Sequence, residues 1–333
     1  MGFIGAGEQG RANLIPALLQ VDSVEIVAVC DRERQRAASL GSLARGAEIF
    51  SSPEAMVAAS ALDAVVMACP PQAHLEVARH VIPKGIHVFV EKPPCVTTSE
   101  LKSLISLAKE HEVVTGVGVN FRFATPVRRL REVVENELFG QLVHLQIQHP
   151  ANKPKSPMWE SDSTIRSFLL AQAIHAIDLA ISFGGELSLA TSRHQHADGS
   201  VLIHLNLEFT NGLSATLLTG NMFPSFAFEM RAIGSRSNVA TLDNLWNLTV
   251  IDSGKQGRFS GDGKRWREVW QPSPLDSGYA RSGYVGELQA FAQAIRAGTR
   301  FEADFEALLP TYHAIDVASE STLEETKRSV ANE

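Results

Sequence analysis

The chain has three cysteines in 333 residues, Cys30, Cys69 and Cys95, none in a CxxC pair and none beside a histidine-rich stretch. That scarcity excludes a disulfide-stapled scaffold and a thiolate metal site, so no metal is expected and the thiols read as buried and free. Positive charge is also in deficit: 30 Lys and Arg stand against 37 Asp and Glu, a formal net charge of -7. Binding to nucleic acid or to an anionic membrane needs a basic face, so neither is an expected partner, and a small-molecule substrate is. No uninterrupted apolar span of membrane-crossing length and no basic-then-apolar leader is visible, which points to a cytoplasmic protein. Internal repeats and Pro/Ser-rich linkers are absent as well.

What is present is an ordinary globular composition, 44% hydrophobic and 20% charged, in a chain longer than one core usually serves, so two domains are expected. Over the first 120 residues apolar runs at Gly2 to Ile4, Val24 to Cys30, Ala64 to Cys69, Val88 to Val90 and Val113 to Val119 read as strands. Between them Gln9 to Leu19, Arg34 to Leu43, Ser52 to Ala59, Ala73 to Ile82 and Ser99 to His111 carry helical patterns. Ser52 before Pro53, and Thr98 or Ser99 before Glu100, are the expected caps. Strand and helix alternating at short spacing imply a parallel sheet with right-handed crossovers. The first strand is short against a usual length of roughly five or six residues, which suggests a start upstream.

After residue 120 the pattern changes to alternating stretches at Leu142 to Gln148, Leu187 to His194, Ser200 to Phe209, Leu213 to Gly220 and Phe226 to Gly234. Asp198-Gly199 and Asn211-Gly212 mark hairpins. With helical segments at Pro126 to Asn136, Ser167 to Phe183, Gly286 to Ala297 and Glu306 to Glu320, this half reads as α+β around an antiparallel sheet. The expected fold class is α/β, a Rossmann parallel-sheet domain over residues 1-120 followed by an α+β domain over 121-333.

Gly5-Ala6-Gly7-Glu8-Gln9-Gly10 is a GxGxxG loop that follows a strand and opens a helix. The first glycine permits the turn, the second lets backbone approach a pyrophosphate, and the third allows helix-to-strand packing, while the helix N-terminus offers NH groups. Asp31 ends the second strand, 21 residues after Gly10, where a ribose-binding carboxylate belongs. A carboxylate there repels a 2'-phosphate and favours NAD; Arg32 and Arg34, just past it, are guanidinium groups suited to that phosphate and keep NADP possible.

Four further segments fall in one order: the loop Cys69-Pro70-Pro71-Gln72-Ala73-His74, the motif Val90-Glu91-Lys92-Pro93, the stretch Gly118-Val119-Asn120-Phe121-Arg122-Phe123, and Ile174-His175-Ala176-Ile177-Asp178. With the glycine loop they make the chain resemble the glucose-fructose oxidoreductase, inositol dehydrogenase and rhizopine catabolism (Gfo/Idh/MocA) family over nearly its whole length. The resemblance implies an open, mostly antiparallel sheet in the second domain, a homodimer or homotetramer across it, and NAD(P)-dependent hydride transfer on a sugar, cyclitol or related alcohol. It places Cys69, Pro70, His74 and Glu91 around the cofactor, and Lys92 beside the nicotinamide and the reacting oxygen, where an ammonium stabilises developing charge. His175 matches the family's proton-transferring histidine, and an imidazole suits that role. Asp178 reads as structural.

The pattern breaks at Ala171, where family enzymes commonly carry an Asp four residues before the histidine. The glycines that usually precede it are replaced by Arg166, Ser167 and Phe168, which implies a bulkier, more apolar pocket floor. Asp162, Glu160 or Gln172 is a candidate compensating group, and Asn120, His149, Lys153 and Trp159 are further candidates for touching substrate. An imine or conjugated unsaturated substrate suits the apolar exchange, and a nucleotide-sensing regulator without turnover is the non-enzymatic alternative.

Overall fold

The computed structural model describes residues 1-44, 46-252 and 266-320. The chain divides into two compact units, Met1-Ala124 with Ser277-Leu309, and Thr125-Asp276 with the chain from Pro310 onward.

The first unit is a six-stranded parallel sheet of β1 (Gly2–Ile4), β2 (Ala28–Cys30), β3 (Glu48–Phe50), β4 (Ala64–Met67), β5 (His87–Glu91) and β6 (Thr115–Gly118), ordered β3-β2-β1-β4-β5-β6. Phe3, Val29, Val65 and Phe89 are fully buried, as continuous apolar strands covered by helices on both faces should be. The order reverses between β1 and β4, so the carboxyl ends of these two strands open the crevice where ligands of such sheets bind.

β3 went unforeseen, because three residues reading Glu-Ile-Phe give no periodicity. β2 begins at Ala28, four residues later than expected from Val24, since the Val24 N–H is spent in a turn on the Val21 carbonyl. Helix Pro53–Ala59 is capped by Ser52, whose hydroxyl accepts from the Ala55 N–H. Helix Thr98–Glu110 is capped one residue earlier than expected: Thr97 accepts from the Glu100 N–H while the Glu100 carboxylate accepts from the Thr97 N–H, a reciprocal capping box.

The sequence-based boundary at residue 120 assigned everything after it to the second domain, whereas Ser277-Leu309 returns to the first unit. The reason is an exposed edge. β6 ends the sheet, and its Val117 N–H donates to the Ala303 carbonyl, while Thr115 accepts from the Phe305 N–H. Phe291 and Phe301 then pack on Phe89 at 5.4 and 6.4 Å between ring centroids.

The second unit carries an eight-stranded sheet: β7 (Leu142–Pro150), β8 (Leu187–Ala197), β9 (Ser200–Phe209), β10 (Ser214–Gly220), β11 (Glu229–Gly234), β12 (Val239–Asp243), β13 (Asn247–Asp252) and β14 (Trp266–Trp270), ordered β14-β13-β12-β11-β7-β10-β9-β8. Every pair is antiparallel except β7 with β10. Along β9, Val201, Ile203, Leu205, Leu207 and Phe209 are buried while His204, Asn206 and Glu208 are exposed, so one face is covered and one is not. At the β8–β9 turn Asp198 and Gly199 have φ of 49° and 71°, the left-handed pair a two-residue hairpin needs.

A helix over Thr164–Gly184 supports the covered face; a Cβ on Gly184 would lie 2.3 Å from the Phe209 ring, so only glycine lets the helix end meet the sheet. This helix is long and apolar enough by composition to cross a membrane, and 83% of its apolar window is buried inside the fold, as in the core helix of a globular unit. It is not an uninterrupted apolar span, which is why the sequence reading did not single it out.

Candidate functional site

In the first unit the candidate residues gather at the carboxyl ends of the parallel strands. Gly5 follows β1 with φ of 102°, and a Cβ there would sit 2.3 Å from the Ala68 carbonyl oxygen. A Cβ on Gly10 would sit 2.4 Å from the Gly5 carbonyl oxygen and 3.0 Å from the Phe3 ring. Gly7 differs: its Cβ would meet nothing within 4 Å. Two glycines are therefore required by packing within the protein, and the middle one opens onto free space, as an approach to a pyrophosphate requires.

Asp31, directly after β2, accepts from the Ala6 N–H at 2.7 Å through Oδ2 and from the Glu33 N–H at 2.9 Å through Oδ1. It thus braces the glycine loop itself. A cleft of about 540 Å³ runs from Gly5 past Cys30, Asp31, Arg32, Arg36, Ser52 and Cys69. Arg36, which also pairs with Glu33 at 3.0 Å, lines this cleft where the sequence pointed to Arg34. Arg36 is the third residue of helix Arg34–Leu43, six positions past the end of β2, and gave no local signal. Burial pushes the thiols of Cys30 and Cys69 up to about 12, so both are inert at neutral pH. Glu8 is exposed beside Gly7.

His74 ties two strand-end loops together. Its Nε2 accepts from the Cys69 N–H at 3.2 Å, which leaves Nδ1 as the protonated nitrogen, donating to the Pro93 carbonyl at 3.1 Å. Burial lowers its pKa to about 4, so this neutral tautomer persists at neutral pH. Pro70 sits at the N-terminus of helix Pro71–Val81, which carries His74. Glu91 ends β5 in the interior; its Oε1 accepts from Gln9 Nε2 at 2.7 Å and its Oε2 from the Lys92 N–H at 3.0 Å. Burial lowers the proton affinity of the half-buried Lys92 and the Glu91 charge raises it again; for Glu91, burial raises the pKa and Lys92 and Gln9 oppose it. The Asn120 amide donates to the Ser282 carbonyl at 2.7 Å and so anchors the returning segment.

In the second unit His175 lies on the Thr164–Gly184 helix, nearly buried, among the fully buried Ile174, Ala176 and Ile177. Ser163 caps this helix through the Arg166 N–H, and Arg166 pairs with Asp316 at 2.8 Å. Leu169–Ala173, which ends two residues before His175, is a π-helical turn, so Ala171 and Gln172, both half-exposed, lie on widened backbone. Asp178 is buried and accepts from the Thr311 hydroxyl at 3.5 Å, the structural role expected of it. His149 is fully buried against the ring edges of Phe226 and Phe228, at 5.1 and 6.2 Å between centroids, a core setting. Trp159 and Glu160 have positive φ, 56° and 60°; the Ser167 hydroxyl fixes this turn by accepting from the Met158 N–H. Asp162 is exposed and lines a separate hollow with His196, Ser200 and Asn221. Lys153 is exposed as well.

Sequence reasoning missed the contribution of Ser277-Leu309. Tyr284 Oη accepts from Gln9 Nε2 at 3.1 Å, and Glu287 is fully buried on the same helix, Tyr284–Ala297. The helical pattern of that segment was legible; its return to the first unit was not.

Comparison with known proteins agrees with the fold of both units. Residues 1–119 match the oxidoreductase family model with an NAD-binding Rossmann fold, and residues 127–239 match the GFO/IDH/MocA C-terminal domain. The crystal structure of a dehydrogenase from Chromobacterium violaceum is 49% identical with a TM-score of 0.92, covering 95% of this chain and 93% of that one. Myo-inositol 2-dehydrogenase of Thermotoga maritima is 25% identical over 99% of this chain and 97% of its own length. D-glucoside 3-dehydrogenase of Escherichia coli is 29% identical over 43% of this chain and 40% of its own.

Proposed function

The chain belongs to the GFO/IDH/MocA oxidoreductase family, and from that premise we propose that it moves a hydride between NAD and a hydroxyl or carbonyl carbon of a sugar-like or cyclitol substrate. The observation that carries this reading is the convergence of the open Gly7, the Asp31 carboxylate and the Glu91-Lys92 pair on the carboxyl ends of one parallel sheet. These residues fit a dinucleotide. Gly5, Gly7, Gly10, Glu8 and Gln9 form the pyrophosphate seat, with Asp31, Arg32, Cys69 and Pro70 along the adenosine side of the cleft. When bound, the nicotinamide supplies the hydride acceptor or donor.

The protein's own part is polar. Lys92 donates a hydrogen bond to the reacting oxygen, and its charge is held in place by Glu91. His175 takes the hydroxyl proton in oxidation and returns it in reduction. His74, by joining the Cys69 and Pro93 backbones, fixes the loop on which Lys92 stands. Gln172 is the polar group we assign to the substrate side in place of the carboxylate that Ala171 lacks. The exposed face of the eight-stranded sheet is the surface we assign to a homodimer or homotetramer, which light scattering of the pure chain tests.

The decisive experiment titrates the protein with NADH and NADPH by fluorescence, then screens polyols, sugars, carbonyls and imines by the absorbance of reduced cofactor. Tighter binding of NADH and turnover of a polyol or its ketone are expected. Failure to bind either cofactor overturns the reading, and binding with no turnover on any class favours a sensor.

A further inference from the structure

Glu287 takes no part in the chemistry above. It lies in the first turn of helix Tyr284–Ala297 with no exposed surface, and among the described residues neither of its carboxyl oxygens has a hydrogen-bond partner. Its surroundings are set by two faces laid together. Phe89 and Glu91 alternate onto one side of β5, and Tyr284, Glu287 and Phe291 share one face of the helix. The Phe89–Phe291 ring contact anchors one end, and Gln9, donating to both Glu91 and Tyr284, anchors the other. On β6, Gly118 leaves room for the Glu91 carboxyl, since a Cβ would come within 3.2 Å of its Cδ.

Two buried carboxyls in one such packet cannot both ionise cheaply, and a carboxyl without donors avoids the cost by keeping its proton. Glu91 is the one whose charge is supported, by two N–H donors and by Lys92. Burial first and the Glu91 charge second push Glu287 well above the usual carboxylate range. Of the other groups here, the Tyr284 phenol is pushed up by burial and by both carboxyls and stays neutral, Gln9 and Asn13 are uncharged, and Arg122 directs its guanidinium to the Glu302 carbonyl.

We propose that Glu91 and Glu287 hold one proton between them at neutral pH, and that yielding it at alkaline pH keeps the Lys92 ammonium charged, so that Glu287 is a positioning residue for Lys92. This rests on the reading of Lys92 as the charged donor. Glu91 is the charge that both Glu287 and Lys92 feel, so a second negative charge in this packet raises the proton affinity of Lys92 and links the three groups.

The test follows Lys92 directly in the full-length protein, by competitive acylation across pH with peptide mass spectrometry. The wild-type labelling curve is expected to be broader than a single-site titration. E287Q, which cannot ionise, should narrow it and move it down by about half a pH unit, roughly a threefold rise in labelling on its acid side. An E287Q curve that superimposes on the wild type overturns the proposal. If E287Q fails to fold, the wild-type curve decides alone, a single-site shape being the overturning result. Infrared difference spectra at neutral pH should show a carboxylic acid C=O band lost in E287Q or E287M; its absence from the wild type overturns the proposal too. Neither readout needs turnover, so their failure is separate from failure of the hydride-transfer reading.

Discussion

At the carboxyl end of the parallel sheet, Gln9, Asp31, His74, Glu91 and Tyr284 come from distant stretches of sequence and are bonded to one another or to the loops they shape. In the second unit His175 is held differently, in a helix whose neighbouring residues Ile174, Ala176 and Ile177 are apolar and fully buried. A network fixes side-chain atoms individually, whereas apolar packing fixes a helix as a body and leaves only the half-exposed Ala171 and Gln172 of its π-helical turn less constrained. The first unit thus holds its candidate residues through hydrogen bonds between distant segments, and the second holds its histidine through the packing of one helix.

The comparison breaks most visibly at the two residues proposed to do the chemistry. K92A and H175A should each lower kcat about 10²- to 10³-fold, roughly 3 to 4 kcal/mol, with NADH affinity by fluorescence largely retained. An H175A variant with unchanged kcat would reduce the second unit's histidine to a core residue.

The next effect lies in the network. His74 has its pKa pushed down to about 4 by burial, against 6.5 for the free side chain. As pH falls from 6.5 toward 4, the unfolded chain takes up a proton that the folded chain refuses, so stability is full above that window and is lost within it. The loss attributable to this one group is up to about 3 kcal/mol. H74Q, which can still donate and accept, should flatten the dependence; urea unfolding at pH 7 and pH 4.5 measures it. Equal acid losses in both proteins would place the sensitivity elsewhere.

How much of this was legible follows from where the signals sit in sequence. The glycine loop and Asp31 are short-range patterns tied to a strand and a helix, and the Glu91-Lys92-Pro93 motif carries the family resemblance. Tyr284 and Glu287 gave nothing, because their meaning depends on their own segment returning to close the edge at β6, where Phe305 bonds Thr115 across 190 positions of sequence. Strands β12 to β14 were missed for want of strong hairpin signals, and Arg36 because it faces the cleft only once its helix is in place. The double use of Asp31 was also invisible: a ribose carboxylate can be read from spacing, a brace on Ala6 cannot. D31S should therefore cost about 2 kcal/mol of stability besides relaxing NAD preference, since a charged acceptor of two backbone N–H groups is lost. Chemical unfolding run beside NADH and NADPH titrations separates the two effects, and a clean switch to NADP at unchanged stability would show that Asp31 is not a brace.

The smallest effect sharpens the contrast most, because it separates folding from binding within one loop. G5A places a Cβ against the Ala68 carbonyl at a φ of 102° and should destabilise the first unit. G7A places the same methyl group in open space, at a backbone conformation an L-residue accepts. Alanine there restricts the unfolded chain, so stability should hold or rise by about 0.5 kcal/mol. If the space beside Gly7 is where a pyrophosphate meets the backbone, NADH affinity should nevertheless fall by about tenfold, roughly 1.4 kcal/mol. A thermal melt and a fluorescence titration on the same sample read both quantities. A G7A protein that melts and binds like the wild type would mean that the free space faces solvent only, and the cofactor's seat would have to be sought farther along the cleft, toward Asp31 and Cys69.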